Sequence, residues 1–133
     1  MMSNELSPAH GAAAATTGLD ADALARLTEL DPKGENQLLE RVLRAYQSSA
    51  ARLMPQLEIA RLANDHATVR LVAHTLKSSS ASIGALELSQ VCAQVEALIR
   101  ADSTDDLDPL LRTLRSALDA ALHAIQRLLD GNP

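Results

Sequence analysis

The chain has 133 residues, a formal net charge of −5 at pH 7 and a hydrophobic fraction of 47%. A chain of this length is expected to form a single domain, and its apolar fraction is sufficient for a core. The negative charge and the absence of Trp and Phe argue against nucleic-acid binding, because there is neither a basic run nor a set of rings for base stacking. No apolar run approaches the ~20 residues of a membrane span, and the N-terminus lacks the pattern of a signal peptide. The single cysteine, Cys92, excludes an internal disulfide, and we expect a cytoplasmic protein.

The composition and the helical spacing of the apolar residues predict an all-α fold. Leu and Ala, which favour helices, dominate the apolar residues, and Tyr46 is the one aromatic side chain. Residues 1–18 are rich in Ala, Ser and Thr and have no apolar stripe, which predicts a flexible N-terminal tail. Residues 19–130 carry the helical pattern, and we expect them to form the folded domain.

The first two predicted helices differ in length. A short helix is expected to begin near Asp20, whose carboxylate can cap the free N–H groups, and to end before Pro32. A long helix is expected over about residues 35–63, in which Pro55 produces either a kink or a break into two helices. The apolar stripes are Leu24, Leu27 and Leu30 in the first helix, and Leu38, Leu39, Val42, Leu43, Tyr46, Leu53, Leu57 and Ala60 in the second.

A third helix is predicted from a cap at Asp65 to about Ser82. Gly84 fits the left-handed residue that follows a helix. A fourth helix is expected over about residues 85–101, with an apolar side that also contains the cysteine. That side consists of Leu88, Val91, Cys92, Val95 and Ile99.

The last helix is expected to begin at Asp105, or at Pro109 with Asp108 as its cap, and to end near Leu129. Four substantial helices joined by short turns predict an antiparallel four-helix bundle with a short additional N-terminal helix. The stripe of the last helix consists of Leu111, Leu114, Leu118, Leu122, Ile125 and Leu129.

One histidine of the third helix lies on its polar side. At a rotation of 100° per residue, Val69, Val72, Leu76 and Ile83 gather on one side of the helix, and His74 lies opposite. An imidazole there faces outward, and near neutral pH it is largely an uncharged nucleophile. The outer strip that it shares consists of Ala67, Arg70, Leu71, Lys77, Ser78 and Ala81.

The surroundings of this histidine match a known motif. The residues Ala-His-Thr-Leu-Lys-Ser-Ser at positions 73–79, followed by Gly84-Ala85 and then by Leu88, Cys92 and Glu96, resemble the histidine-containing phosphotransfer (HPt) domains of bacterial phosphorelays. The resemblance is specific over residues 73–96 and compatible with the helix pattern over about residues 19–130. Many members of this family have Gly directly after the Lys, where this chain has Ser78, a common alternative that bears on the choice of partner.

The resemblance implies a role for each candidate site residue. His74 would receive a phosphoryl group on Nε2 from a receiver-domain aspartate and pass it to another receiver. Lys77, one turn later, would offset the charge of the phosphoryl oxygens. Ser78 would donate a hydrogen bond to the phosphoryl group or, as we favour, be small enough to permit docking, as would Ala81.

Two further residues are candidates for binding and for orientation. Arg70 is either a solvated charge or a contact to the partner. Glu96 would orient the imidazole by accepting a hydrogen bond from Nδ1–H, with Gln90 and Gln94 as competing neighbours. The remaining histidines, His10, His66 and His123, have no evident link to the site, and Cys92 is expected to be a small core residue.

The resemblance also implies the partners and the chemistry that the chain lacks. We expect receiver domains of response regulators and a hybrid sensor histidine kinase as partners, and a monomer in solution. The receiver would supply Mg²⁺, so that neither a metal nor a cofactor is expected in this chain. Without a Gly-rich phosphate loop, no ATP binding or autokinase activity is expected.

Two other functions remain open at this point. A non-catalytic module of the same fold could bind a receiver or kinase and regulate without transfer. The phosphorylated domain of a chemotaxis-type kinase is a further alternative, which the absence of catalytic domains in 133 residues disfavours only if the chain is complete. The sequence leaves open whether the chain is free-standing or the end of a hybrid kinase.

Overall fold

A computed structural model of the protein describes residues 18–131, and within that range every regular element is helical. Five α-helices follow one another, with a short 3-10 turn, Thr104–Asp106, before the last. No helix among these residues is long and apolar enough to span a membrane. The tail predicted for residues 1–18 lies outside the described residues, except for Gly18. The helices are α1 (Ala21–Glu29), α2 (Leu38–Leu62), α3 (His66–Ser82), α4 (Leu86–Arg100) and α5 (Leu107–Leu129).

The four long helices form a bundle, which confirms the predicted fold class. In this bundle α3 packs against α2 and α4, and α5 packs against α4 and α2, while α1 lies against α2. The interior is filled by the predicted stripes of Leu and Val, together with buried Ala residues. Each such Leu contributes roughly 1.5–3 kcal/mol by leaving water. The largest fully buried apolar side chains are Leu19, Leu43, Leu76, Ile83, Leu88, Leu114, Leu118 and Ile125.

The start of the bundle differs from the sequence prediction. Leu30, predicted to be part of the first stripe, is 74% exposed, because α1 ends at Glu29 and Leu30 is the capping residue beyond its last turn. The second helix begins at Leu38 and not near residue 35, since Gln37 has a left-handed backbone with φ of 51°. The carboxylate of Asp31 accepts hydrogen bonds from the N–H of Asn36 at 3.2 Å and of Leu38 at 3.1 Å, which holds this loop.

The remaining helix boundaries follow the prediction closely. The second helix is continuous through Pro55, so the alternative of two separate helices is wrong. Asp65 caps α3, with a carboxylate oxygen 3.2 Å from the N–H of Thr68. Pro109 lies in the first turn of α5, but Asp108 is not its cap. The helix already begins at Leu107, so Asp108 is its second residue, and its carboxylate lies 3.7 Å from a guanidinium nitrogen of Arg61.

The turn between α3 and α4 anchors the entry to α1. The carbonyl of Gly84 accepts a hydrogen bond from the N–H of Asp20 at 2.8 Å. Gly84 has φ of +83°, and a Cβ at this position would lie 2.7 Å from the Asp20 nitrogen and 2.9 Å from its carbonyl oxygen. These backbone atoms cannot move aside as a flexible side chain would. The position therefore requires glycine both for its backbone conformation and for the space around it.

We expect Gly84→Ala to destabilise the protein by about 2–5 kcal/mol, as the sum of a left-handed backbone penalty and a clash. Gly34→Ala is the matched control, because Gly34 also has a positive φ of +69° but has no atom within 4 Å of the added Cβ. It should cost only about 1–2 kcal/mol. Urea unfolding of both variants measures the difference, and equal costs would show that the contact with Asp20 is not tight.

Candidate functional site

His74 lies on the solvent side of α3, as the sequence predicted. Its side chain is 62% exposed, whereas Ala73 and Leu76, its neighbours on the inner side, are fully buried. The exposed position is a direct result of the helical period, since the inward stripe of α3 fixes the rotation of the helix about its axis. The imidazole is thus accessible to a partner while its backbone belongs to the core.

Glu96 of α4 lies beside this imidazole and is buried. Only 4% of its side chain is exposed, and among residues 18–131 Glu96 and Ser80 are the buried polar residues. One carboxylate oxygen, Oε2, is 3.0 Å from His74 Nδ1, and the other, Oε1, is 2.7 Å from Lys77 Nζ. The approach of the ammonium to Oε1 is not aligned as a hydrogen bond, so this contact is chiefly an ion pair. The carboxylate therefore joins both predicted residues of α3.

The charge of Glu96 is maintained by these contacts. Burial alone raises the pKa of the carboxyl, but the close contacts and the charges of Lys77 and His74 outweigh it and hold the pKa below its ordinary value. Glu96 is consequently ionised near neutral pH. A buried carboxylate without such partners would be strongly destabilising.

An ionised Glu96 determines the tautomer of the histidine. A carboxylate can only accept hydrogen bonds, so the short contact from Oε2 requires a proton on Nδ1 of His74. In the neutral imidazole this leaves the lone pair on Nε2. The geometry thus leaves Nε2 as the ring nitrogen with an available lone pair.

Polar contacts between helices hold α3 in this register. The hydroxyl of Ser89 in α4 donates to the carbonyl of Lys77 at 3.0 Å, and the buried hydroxyls of Tyr46 and Ser80 lie 2.7 Å apart, joining α2 to α3. Burial raises the pKa of Tyr46 to about 12, so its hydroxyl stays protonated. These contacts limit sliding and rotation of α3, and so keep His74 opposite Glu96.

Cys92, one turn before Glu96, is a core residue and not a nucleophile. Burial, together with the negative charge of Glu96, raises the pKa of its thiol to about 12. Its side chain is fully buried in the hydrophobic core. The interpretation of Cys92 as a small apolar residue therefore agrees with its place in the fold.

The other predicted site residues lie on the exposed side of α3. Arg70, Ser78 and Ala81 are exposed, and Leu71, one turn before His74, is 64% exposed. Gln90 and Gln94, which were considered as alternatives to Glu96, are exposed on α4, and the contact to the ring is made by Glu96.

Arg100 is the site residue that the sequence reasoning missed. Its guanidinium lies 3.8 Å from Oε2 of Glu96, with 67% of the side chain exposed. The spacing of four residues between a glutamate and an arginine was the available signal, because such pairs face each other on a helix. Within residues 18–131, no group of three or more His, Cys, Asp or Glu is placed to hold a metal ion. His66 begins α3 and His123 is exposed on α5, whereas His10 lies outside the described residues.

Comparison with known proteins identifies the family. Residues 41–127 match the family model described as the Hpt domain. The chain belongs to the Hpt domain family. It is thus a histidine phosphotransfer protein of the phosphorelay type, and receiver domains are the kind of partner with which Hpt proteins exchange phosphoryl groups.

The fold of this Hpt domain is also found in a solved structure. The crystal structure of histidine-containing phosphotransfer protein B (HptB) from Pseudomonas aeruginosa PAO1 superposes with a TM-score of 0.75 at 22% sequence identity. The similarity covers 87% of this chain and 97% of that protein. A sequence comparison with curated proteins finds no match.

The lowered pKa of Glu96 predicts how stability depends on pH. A carboxyl whose pKa is lower in the folded protein stabilises the fold above its unfolded pKa of ~4.3, and this contribution is lost as the pH falls through the folded pKa. We expect Glu96→Gln to remove this dependence, so that the difference in unfolding free energy between wild type and variant is constant above about pH 6 and shifts against wild type below about pH 4.

Urea unfolding between pH 3 and pH 7 measures this difference, with Glu87→Gln as a control that removes an exposed carboxylate from the same helix. A difference between wild type and Glu96→Gln that stays flat over the whole range would show that folding does not alter the titration of Glu96.

Proposed function

We propose that the protein accepts a phosphoryl group from a receiver-domain aspartate on Nε2 of His74 and passes it to the aspartate of another receiver. The observation that carries this proposal is the 3.0 Å contact between Nδ1 of His74 and the buried carboxylate of Glu96. It holds the imidazole in the orientation and tautomer that transfer requires. We further propose that the donor belongs to a hybrid sensor histidine kinase, and that the protein acts as a cytoplasmic monomer.

The transfer step balances without a further acid or base in this chain. The lone pair of Nε2 attacks the phosphorus of the aspartyl phosphate, the N–P bond forms, and the P–O bond to the aspartate breaks to release a carboxylate. The proton on Nδ1 stays in place, so the ring of His74 becomes formally cationic as it receives the phosphoryl group. The adjacent carboxylate of Glu96 stabilises that developing positive charge. The reverse step follows the same path to the second receiver.

Lys77 is suited to balance the charge of the transferred group. It lies one turn after His74 on the same side of α3, and its side chain is 35% exposed. Its ammonium is the terminal group of a flexible chain and contacts Glu96 before transfer. After transfer the same group would lie within reach of the phosphoryl oxygens and reduce their repulsion from Glu96.

The chemistry that this chain lacks would come from the receiver. Phosphoryl transfer depends chiefly on positioning and on cations that neutralise the equatorial oxygens. We propose that the receiver provides Mg²⁺ and the acidic pocket that binds it, while this chain provides the nucleophile and the cationic side chain. No ATP-dependent step is assigned to His74.

The surface around His74 is suited to a close approach by the receiver. The exposed side chain of Leu71 offers an apolar contact, and Ser78 and Ala81 are small enough to admit a neighbouring backbone. Arg70 lies at the edge of this surface, where a charge would steer association more than it would add affinity. We propose this surface, formed by α3 and the adjoining part of α4, as the receiver-docking site.

His74→Gln is expected to abolish phosphoryl acceptance and to leave the fold intact, because the side chain is exposed and outside the core. The measurement is incubation with a panel of phosphorylated receivers, followed by detection of acid-labile, base-stable phosphate. His123→Gln, at an exposed histidine of α5, is the control and should accept phosphate as the wild type does. Full labelling of His74→Gln would refute the assignment. Wild-type protein that binds receivers but is never labelled would favour the regulatory docking module.

Ser78→Arg is expected to block transfer by steric exclusion of the receiver while preserving the melting temperature, since Ser78 is exposed. Ser116→Arg places the same side chain on the exposed side of α5 and serves as the control. Transfer rates should fall at least tenfold for the first variant and remain unchanged for the second, as expected when a well-packed contact is replaced by a clash. Equal rates in both variants would mean that the receiver docks elsewhere.

A further inference from the structure

The carboxylate of Glu96 lies close to three positively charged or hydrogen-bonding groups, of which two, His74 and Lys77, belong to α3. The third, Arg100, belongs to α4 and lies 3.8 Å from Oε2, too far for a hydrogen bond. Its side chain is 67% exposed, so it has room to move. The position four residues after Glu96 brings the guanidinium to the same side of the helix. Arg100 therefore forms a long ion pair with the carboxylate and no hydrogen bond to it.

Phosphorylation of His74 would add negative charge beside Glu96, and the nearby cations would then have two anions to neutralise. A phosphoryl group adds roughly two negative charges near pH 7. Lys77 has one ammonium, which contacts Oε1 of Glu96 at 2.7 Å before transfer. When this ammonium turns to the phosphoryl oxygens, Oε1 loses its partner. The carboxylate is then a buried anion next to a second anion, and such a group is strongly destabilising unless another cation replaces the first.

We propose that Arg100 is a positioning residue of the phosphorylated state, which binds the Glu96 carboxylate when Lys77 leaves it for the phosphoryl group. The inference rests on the proposed phosphorylation of His74. The guanidinium is suited to this role because its planar N–H groups can engage both carboxylate oxygens at once. Arg100 would thus act through Glu96 and Lys77 and would not contact the phosphoryl group itself.

The role differs from that of an ordinary cation at a helix end. Arg100 is the last residue of α4, where a positive charge is favourable in any state of His74. A helix-end effect would stabilise the phosphorylated and unphosphorylated forms equally. The proposed exchange of partners stabilises only the phosphorylated form.

The test uses chemical phosphorylation, so that no receiver is needed. Potassium phosphoramidate phosphorylates accessible imidazoles, with formation of an N–P bond and release of ammonia, and the phosphohistidine at His74 is the one that is absent in His74→Gln. The half-life of the phosphohistidine and the change in melting temperature on phosphorylation are then compared in wild type, Arg100→Ala and Arg100→Lys. Arg44→Ala is the matched control, because Arg44 forms an exposed pair with Glu40 at the same spacing on α2, at 3.2 Å.

We expect Arg100→Ala to shorten the half-life by roughly fivefold, because Lys77 is then retained by Glu96 and the phosphoryl group loses its cation. Phosphorylation should also lower the melting temperature of this variant more than that of wild type. Arg100→Lys should restore part of the half-life, and Arg44→Ala should behave as wild type. An unchanged half-life and melting shift in Arg100→Ala would overturn the inference.

The same comparison in a Lys77→Ala background distinguishes the proposed exchange of ion-pair partners from a long-range electrostatic effect of Arg100. Without Lys77, Glu96 depends on Arg100 both before and after phosphorylation, so removing Arg100 should no longer affect the two forms differently. If Arg100→Ala still shortened the half-life fivefold in that background, Arg100 would act through its long-range charge alone. That result would also overturn the inference.

Failure of this inference is distinguishable from failure of the proposed function. If phosphoramidate phosphorylates the wild-type protein but no receiver exchanges phosphoryl groups with it, the relay role is refuted. The test of Arg100 can still be interpreted in that case. Normal exchange with receivers, combined with an unchanged half-life in Arg100→Ala, would refute the role of Arg100 alone.

Discussion

The carboxylate of Glu96 is buried between α3 and α4, where an unpaired charge would be strongly destabilising. It remains ionised because His74 and Lys77 contact its two oxygens from the neighbouring helix. The contacts that make this burial tolerable are the same ones that place the proton of His74 on Nδ1. The charge balance between the two helices and the orientation of the histidine therefore both depend on the contacts of one carboxylate.

The apolar core and a few polar contacts determine the position of His74 relative to Glu96. A rotation of α3 by one residue, 100°, would carry His74 away from α4 and bring a different side chain to Glu96. The stripe of buried residues on α3 resists this rotation. The hydroxyl contact of Tyr46 with Ser80 and the bond from Ser89 to the carbonyl of Lys77 resist sliding along the helix axis. The site is precise because its supporting contacts lie directly beneath it and not because the exposed residues are rigid.

The sequence predicts those features that depend on local chemistry. The helical period indicated the outward face of α3, and the caps at Asp20 and Asp65 and the left-handed Gly84 followed from residue type and position. The errors in the predicted helix boundaries occur where contacts between residues more than one turn apart determine where a helix begins. Asp31 accepts hydrogen bonds from N–H groups five and seven residues later, which delays the start of α2, and no pattern within a single turn indicates it. The apolar period includes Leu30, but the helix ends at Glu29, one residue before it.

The candidate site likewise contains residues that the local sequence indicates and residues that depend on how the helices pack. The histidine and its lysine are neighbours on one helix, so a sequence motif is sufficient to associate them. Glu96 is 22 residues from His74, and its proximity depends on how α3 and α4 pair. The motif suggested Glu96, but Gln90 and Gln94 remained alternatives until the rotation of α4 was known. Arg100 needed the structure as well, because its distance from a carboxylate has meaning only once that carboxylate is known to be buried.

A reversible phosphoryl carrier also requires a phosphorylated state that is stable but still able to return the phosphoryl group to a receiver. If several cations bound the phosphoryl group directly, return of the group to a receiver would be slowed by the loss of all those contacts. In the proposed exchange the cations would be divided between two anions, because Lys77 would move from Glu96 to the phosphoryl group while Arg100, which lies 3.8 Å from Glu96, would stay with the carboxylate. In that proposal Lys77 would leave the phosphoryl oxygens and return to the carboxylate when a receiver supplies its own cation. Arg100, the exposed cation on α4, would then keep the buried carboxylate paired throughout the exchange.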